Sequence, residues 1–283
     1  MPELPEVETI ARGLRAALPG RRIVGVRLGK TDFIDDPAAI EQQLPGARIA
    51  AVRRLGKFLL LDLEPSNGSA HNSSLLIHLG MTGRLVTCDP AAPVPLHTHV
   101  FFALDDGREL RYTDVRRFGR MGLLQDTSRE KSLDSLGLDP LEASEEQFIA
   151  LLKDRRARVK ALLLDQHVLR GIGNIYADES LWRARIHPMR LGAKLTVDEL
   201  RRLHRSVRDV LNEAIRLRGS SIADYVDSEG NLGGFQRRHR VYQRDGKKCF
   251  RCGAKIRRAI VAGRSSHFCP RCQPAPRTRR TQT

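Results

Sequence analysis

Residues 162–181 read LLLDQHVLRGIGNIYADESL, and this stretch decides how the second half of the chain is built. A helical run closes near Asp165, glycines follow at 171 and 173, and a second helix opens near Asn174. The loop N–H groups and the N-terminus of the next helix would together form an anion site. A Gly-x-Gly loop alone only turns a corner. In a strongly basic chain, a phosphate is its natural occupant.

Helical signals surround this hinge. Ser144-x-x-Gln147 and Thr196-x-x-Glu199 fit the capping-box pattern. They predict helices over 145–153, 157–165, 174–185 and 197–217, with Gly219 ending the last. The first half differs. Pro5 suits the first helical position, and Val7, Ile10, Leu14 and Leu18 make one apolar face, so 5–18 reads as a helix stopped by Gly20. From 23 to about 125, short apolar or alternating runs such as RIVGVRL, FLLLDL, SLLIHL and HVFFAL read as strands. Asp106-Gly107 marks a hairpin turn, and 64–74 is a polar strand connection. Helical character starts around Ser128–Pro140. The fold class expected is α+β: an N-terminal helix with a β-sandwich, then a helical domain.

The chain has 283 residues, 41% of them apolar, enough for two domains with a sizeable core. No apolar run approaches the roughly 18 residues of a membrane span, and no secretory signal follows Met1, so a cytoplasmic location is expected. Lys and Arg number 49 against 33 acidic residues, a net charge of +16. The excess is local: residues 235–283 hold fifteen Lys/Arg and one acid, Asp245. A block this dense suits a polyanion such as nucleic acid.

Four of the five cysteines fall inside that block, as Cys249-x2-Cys252 and Cys269-x2-Cys272. Two such pairs complete a tetrahedral thiolate set for one structural Zn2+. Zinc can order a segment too small to have its own core. Cys88 stands apart and reads as a small apolar filler.

Six separated motifs then point the same way: MPELPEVE at the start, GKFLL at 56–60, IHLGMTG at 77–83, YTDVRRFG at 112–119, GIGNIYADE at 171–179 and the terminal zinc finger. In that order they closely resemble the bacterial formamidopyrimidine-DNA glycosylases, and the resemblance covers nearly the whole chain. It implies a helix and β-sandwich over 1–127, a helix–two-turns–helix domain with a lesion loop over 128–235, a zinc finger over 236–273 and a basic tail over 274–283. DNA is then expected in the cleft between the domains.

The resemblance also gives the opening MPE its chemistry. Removing Met1 leaves Pro2 with a free secondary amine that can attack a deoxynucleotide sugar. A primary α-amine titrates at about 7.7–8.0, near enough to neutrality for part of it to be unprotonated. The resulting iminium has no N–H to lose and acts as an electron sink, so one nucleophile accounts for base removal and for β,δ-elimination. The resemblance makes Glu3 the general acid/base and Lys57 a lysine that reaches the backbone near the lesion. It places Glu6 near the damaged base, a position that equally suits a helix-capping carboxylate. Glu8 reads as helix surface.

Met81, Arg116 and Phe118 match the family's wedge, which fills the space left by a flipped nucleotide and pairs the orphaned cytosine. His78, Asn174, Tyr242 and Arg264 match its phosphate contacts, and Lys160 its lysine near the lesion. The implied partner is duplex DNA carrying oxidised guanine (8-oxoguanine, formamidopyrimidines) opposite cytosine, bound by a monomer without an organic cofactor. Competing readings are an endonuclease-VIII-like glycosylase for oxidised pyrimidines, a non-enzymatic zinc-finger DNA-binding protein and a structural RNA-binding protein. Leu4 and Lys160 favour the guanine branch.

Overall fold

The computed structural model describes residues 1–64, 72–125, 133–222 and 224–276. Most of the polar connection expected at 64–74, the start of the helical half at 128–132 and the end of the basic tail at 277–283 lie outside the described residues. Packing divides the chain into two units. One holds 1–135 and 214–236; the other holds 136–213 and 237–283.

The first unit is built on two antiparallel four-stranded sheets. One has the order β2 (Arg48–Leu55), β3 (Phe58–Glu64), β4 (Ser73–His78), β8 (Arg120–Gln125); the other has β1 (Ile23–Leu28), β6 (Thr98–Leu104), β7 (Glu109–Asp114), β5 (Gly83–Cys88). Leu59, Leu61, Ile77, Val100, Phe102 and Tyr112 are buried in one common core. Helix α1 (Leu4–Ala17) adds Val7, Ile10 and Leu14 to it, the face its periodicity predicts, and Leu18 follows just past its end. Between β6 and β7, Gly107 takes φ 82° and the Leu104 N–H donates to the Arg108 carbonyl at 2.9 Å. The Asp-Gly turn is therefore where the sequence puts it.

Three features depart from the sequence reading. Helix α2 (Pro37–Gln43) interrupts the strand-rich half; Asp36 caps it by accepting from the Ala39 N–H at 3.0 Å, with Pro37 in the first turn. Asp-Pro ahead of a short run is a helix-start signal that strand periodicity masked. Glu8 is not helix surface. It is 7% exposed and bonds Arg12, Arg15 and Arg54 at 2.9–3.0 Å. The polar side of α1 is covered because it packs on β2, which carries Arg54.

The segment 214–236 packs with the first unit, whereas the expected helical domain ran to 235. Its hydrogen bonds explain why. The Thr87 N–H, on edge strand β5, donates to the Ser228 carbonyl at 3.0 Å. A Cβ on Gly13 of α1 would lie 1.9 Å from Ser228 Oγ and 3.2 Å from its Cβ, so a larger residue there would force the Ser228 side chain to move.

Helices α3 (Glu145–Leu152), α4 (Val159–Leu164), α5 (Asn174–Ala184) and, up to residue 213, α6 (Val197–Arg216) belong to the second unit and match the predicted runs. Both capping boxes form: Ser144 N–H to Gln147 Oε1 at 2.9 Å and Gln147 N–H to Ser144 Oγ at 3.2 Å, with Thr196 and Glu199 reciprocating at 2.9 and 3.2 Å. Between α4 and α5, the Gln166 side chain staples the turns. Its Nε2 donates to the Leu164 and Ile172 carbonyls and its Oε1 accepts from the Gly171 N–H. Strands β9 (Arg257–Val261) and β10 (Arg264–Phe268) form a hairpin closed by Ala262 and Gly263, both at positive φ.

Burial alone would push the Glu8 carboxyl up, but Arg15, Arg54 and Arg12 together hold it below its ordinary 4.5. A depressed pKa contributes stability above the unfolded value, and that contribution is lost as pH falls through the folded value. Glu8→Gln should lower stability at neutral pH by about 2 kcal/mol. In denaturant titrations its deficit against the parent should shrink once the pH drops below 4.5.

Candidate nucleic-acid site

The amino terminus sits at the head of α1. Met1 is 50% exposed, while Pro2 and Glu3 are buried. Glu6 is also buried, and its two oxygens are both engaged. Oε2 accepts from the Glu3 N–H at 2.9 Å and Oε1 from the Ser220 N–H at 2.7 Å. The capping role foreseen for Glu6 is thus real, and the same carboxylate also holds the start of the 219–235 loop. The Tyr225 hydroxyl adds a 3.4 Å bond to the Glu6 carbonyl. Within the loop, Ser221 Oγ accepts from the Gly233 N–H at 2.8 Å and donates to the Tyr225 carbonyl at 2.7 Å.

His78 ends β4, its ring 5.0 Å from that of Phe58. Burial, and then the charge of Lys57, push its pKa below 6.5. Its Nδ1 accepts from the Gly80 N–H at 3.2 Å. A neutral imidazole accepting at Nδ1 carries its proton on Nε2, which can donate to an anion. Lys57 and His78 are therefore neighbours.

Met81, Arg116 and Phe118 come together on two turns. Arg116 Nη1 lies 3.5 Å from Met81 Sδ, and the guanidinium stacks 4.4 Å from the Phe118 ring centre. Met81 is 43% exposed and Phe118 56%. Gly80, at φ 59°, abuts the Phe118 backbone: a Cβ there would lie 2.4 Å from its carbonyl. The two turns are thus packed main chain to main chain.

In the second unit Asn174, Tyr242 and Arg264 line one pocket of about 440 Å³ with Arg258, Asp245 and His267. Asn174 opens α5, as predicted. Lys160 is placed differently from a surface lysine. It is fully buried, with Nζ 2.6 Å from Asp178 Oδ1 and 2.8 Å from the Ser265 carbonyl. Asp178 Oδ2 accepts from the His267 N–H at 2.8 Å. Lys160 therefore secures β10 behind the pocket.

Sequence reasoning missed Asp178 and its neighbour Glu179. The Glu179 carboxylate accepts the N–H groups of Arg240, Val241 and Tyr242 at 2.9–3.0 Å. Burial pushes its pKa up, and these three donors offset part of that. The signal was two adjacent acids inside a helix whose remaining residues are largely apolar.

The four sulfurs of Cys249, Cys252, Cys269 and Cys272 lie within 4.8 Å of one another. Tetrahedral Zn–S bonds of 2.3 Å put sulfurs about 3.8 Å apart, and the Cys249–Cys272 separation is 4.0 Å. Backbone N–H groups of Arg251 and Cys272 point at Cys249 and Cys269 sulfur, each at 3.4 Å. Such donors stabilise thiolates, so the set fits one structural zinc.

Family models cover each part of the chain: the formamidopyrimidine-DNA glycosylase N-terminal domain at residues 1–121, its H2TH domain at 136–226, and the zinc finger found in FPG and IleRS at 246–275. The chain belongs to the formamidopyrimidine-DNA glycosylase family. It is a DNA repair glycosylase of a group that combines glycosylase and AP lyase activities. The formamidopyrimidine-DNA glycosylase of Pelotomaculum thermopropionicum is 45% identical over 96% of this chain and 99% of its own. The MutM (FPG) structure of Thermus thermophilus matches with a TM-score of 0.82 and 42% identity over 98% of this chain and all of its own. A Lactococcus lactis Fpg structure, bound to DNA containing N7-benzyl-Fapy-dG, matches at TM-score 0.86 and 34% identity over 97% and 100%. No helix among the described residues of this glycosylase is long and apolar enough to cross a membrane.

Two outcomes follow. Cys249→Ser should cut bound zinc from one per chain to a minor fraction, read by atomic absorption, and lower the melting temperature. Lys160→Met leaves Asp178 buried without its cation and should destabilise the protein by about 3–5 kcal/mol in denaturant titrations.

Proposed function

We propose that this glycosylase excises oxidised purines from duplex DNA through an iminium formed on Pro2, and then cuts the strand. With Met1 removed, the Pro2 nitrogen attacks C1′ of the damaged nucleotide. The N–C1′ bond forms, and the glycosidic bond breaks with its electron pair leaving on the base. The Pro2 N–H proton goes to the departing base; Glu3, one residue away, protonates the sugar ring oxygen, and the nitrogen lone pair opens the ring to a cationic iminium that carries no N–H. The cationic C=N acidifies the C2′ hydrogen. Loss of that proton expels the 3′ phosphate, and a second elimination expels the 5′ phosphate. Glu3 shuttles the protons.

The observation that carries this reading is the cluster of Met81, Arg116 and Phe118. Large apolar side chains exposed beside a stacked guanidinium on two turns suit insertion into a base stack. Met and Phe fill the space of the flipped nucleotide, and Arg116 donates to the acceptors of the estranged cytosine. Lys57 and the Nε2–H of His78 suit phosphates near the lesion. Asn174, Tyr242 and Arg264 suit phosphates in their own pocket, at the positive end of the α5 dipole. The loop at 219–235, anchored through Glu6, covers the damaged base, so Glu6 acts on the lesion through that loop. Lys160 acts indirectly, by holding the strand that bears Arg264. The domain plan is the family's, with a monomer acting on the nucleoid in the cytoplasm.

A purine lesion as substrate is supported by the complexes of the Lactococcus protein with DNA containing Fapy-dG and a Fapy-dG derivative. That protein has also been solved with oxidised-pyrimidine DNA, so pyrimidine lesions form a second reading of the substrate class. Borohydride should trap a covalent complex with duplex DNA bearing oxidised guanine opposite cytosine. Pro2→Gly should slow excision sharply with the fold intact, and Glu3→Gln should reduce turnover by about 10²–10⁴-fold. Cleavage by Pro2→Gly at the parent rate would end the mechanism.

A further inference from the structure

The hydrogen bonds that shape both wedge turns converge on one carboxylate. Asp114 ends β7 and is fully buried. Its Oδ1 accepts from the Thr82 hydroxyl and from the Arg116 N–H at 3.2 Å. Its Oδ2 accepts from the Gly119 N–H at 2.9 Å and the Tyr112 hydroxyl at 3.2 Å. Thr82 directly follows Met81, while Arg116 and Gly119 bracket Phe118. Thr82 Oγ1 also accepts from the Arg116 N–H at 3.2 Å, closing a triangle between the two turns.

An ionised carboxylate has about four acceptor sites, and Asp114 fills four. Burial, and then the charge of Asp114, push the Tyr112 hydroxyl far above its ordinary pKa, so it remains a donor. There is no space for the turns to drift. A Cβ on Gly119 would lie 1.8 Å from the Tyr112 hydroxyl. Any displacement of one turn breaks a bond to the group that anchors the other.

We propose that Asp114 is a positioning residue that fixes the register of the two wedge turns, and thereby the discrimination of the base opposite the lesion. The proposal rests on the wedge reading of Met81, Arg116 and Phe118. Asp114 touches no reacting atom. Through the Arg116 N–H it sets where the guanidinium is presented, and through Thr82 where Met81 stands. Loosening it lets Arg116 wander between pairing geometries, which penalises cytosine pairing while sparing bond breaking at the sugar.

Two near-isosteric variants test this. Asp114→Asn keeps the shape but turns a donor toward N–H groups; Thr82→Val removes only the bridging hydroxyl. Three quantities are measured: single-turnover excision of oxidised guanine opposite cytosine and opposite adenine, strand cleavage at a preformed abasic site in single-stranded DNA, and melting temperature. Single-stranded DNA has no opposite base and no stack to fill. Both variants should lower the cytosine-over-adenine ratio by about tenfold, the worth of a charged hydrogen bond. Single-stranded cleavage should stay within about twofold. A folded variant that keeps the parent ratio, or loses both activities in parallel, overturns the proposal. If Asp114→Asn does not fold, Thr82→Val decides by the same two criteria. Arg116→Ala separates the levels. A parental ratio in that variant overturns the wedge reading and the proposal with it; a lowered ratio there, with a parental one in Asp114→Asn, overturns the Asp114 proposal alone.

Discussion

Two N–H groups from distant parts of the chain donate to the single buried carboxylate of Glu6, and the geometry of the amino terminus depends on that pairing. One donor is Glu3, beside Pro2; the other is Ser220, at the start of the loop that returns to the first unit. A terminus is ordinarily the least ordered part of a domain. Here it is held by the first turn of a helix whose apolar face is in the core and whose polar face meets Arg54 through Glu8. On the proposed reading of Pro2 as nucleophile such restraint is needed, because proximity accelerates a reaction only when the attacking atom stays aligned.

The second unit applies buried charge in the same way. Lys160 and Asp178 are both fully shielded, and each also bonds a backbone group of β10. Glu179 gathers three consecutive N–H groups around Tyr242. Both carboxylates are buried. Buried ion pairs are poor sources of stability, yet their directional bonds tolerate little displacement. Both act where the chain has few apolar side chains to set position: the zinc segment, whose core is little more than Trp182, Val241, Ile256 and the cysteines. The pocket of Asn174, Tyr242 and Arg264 stands on that frame.

Much of this was legible in the residues alone. Helix limits followed from caps and periodicity, since a Ser-x-x-Gln box is a local bond that forms wherever a helix starts. The Asp-Gly turn and the paired cysteines were equally local. Helix α2 was hidden because seven residues are too few for a periodic signal, although Asp36-Pro37 announced it. The roles of Glu8, Lys160, Asp178 and Glu179 were not legible. A charged side chain looks the same in sequence whether it meets water or a guanidinium, and burial is decided by what packs over it.

The sequence by itself determined the elements, the zinc ligands and, through motif resemblance, the residues on which chemistry is placed. Spacing along one chain segment suffices for each, because caps, turns and Cys-x2-Cys pairs act over four residues or fewer. Only the tertiary structure decided which side chains share a space: Met81 with Arg116 and Phe118, Glu6 with Ser220, Asp114 with both wedge turns. Those meetings depend on sheet register and on which face of α1 is covered, and both are set by packing across residues far apart in the chain.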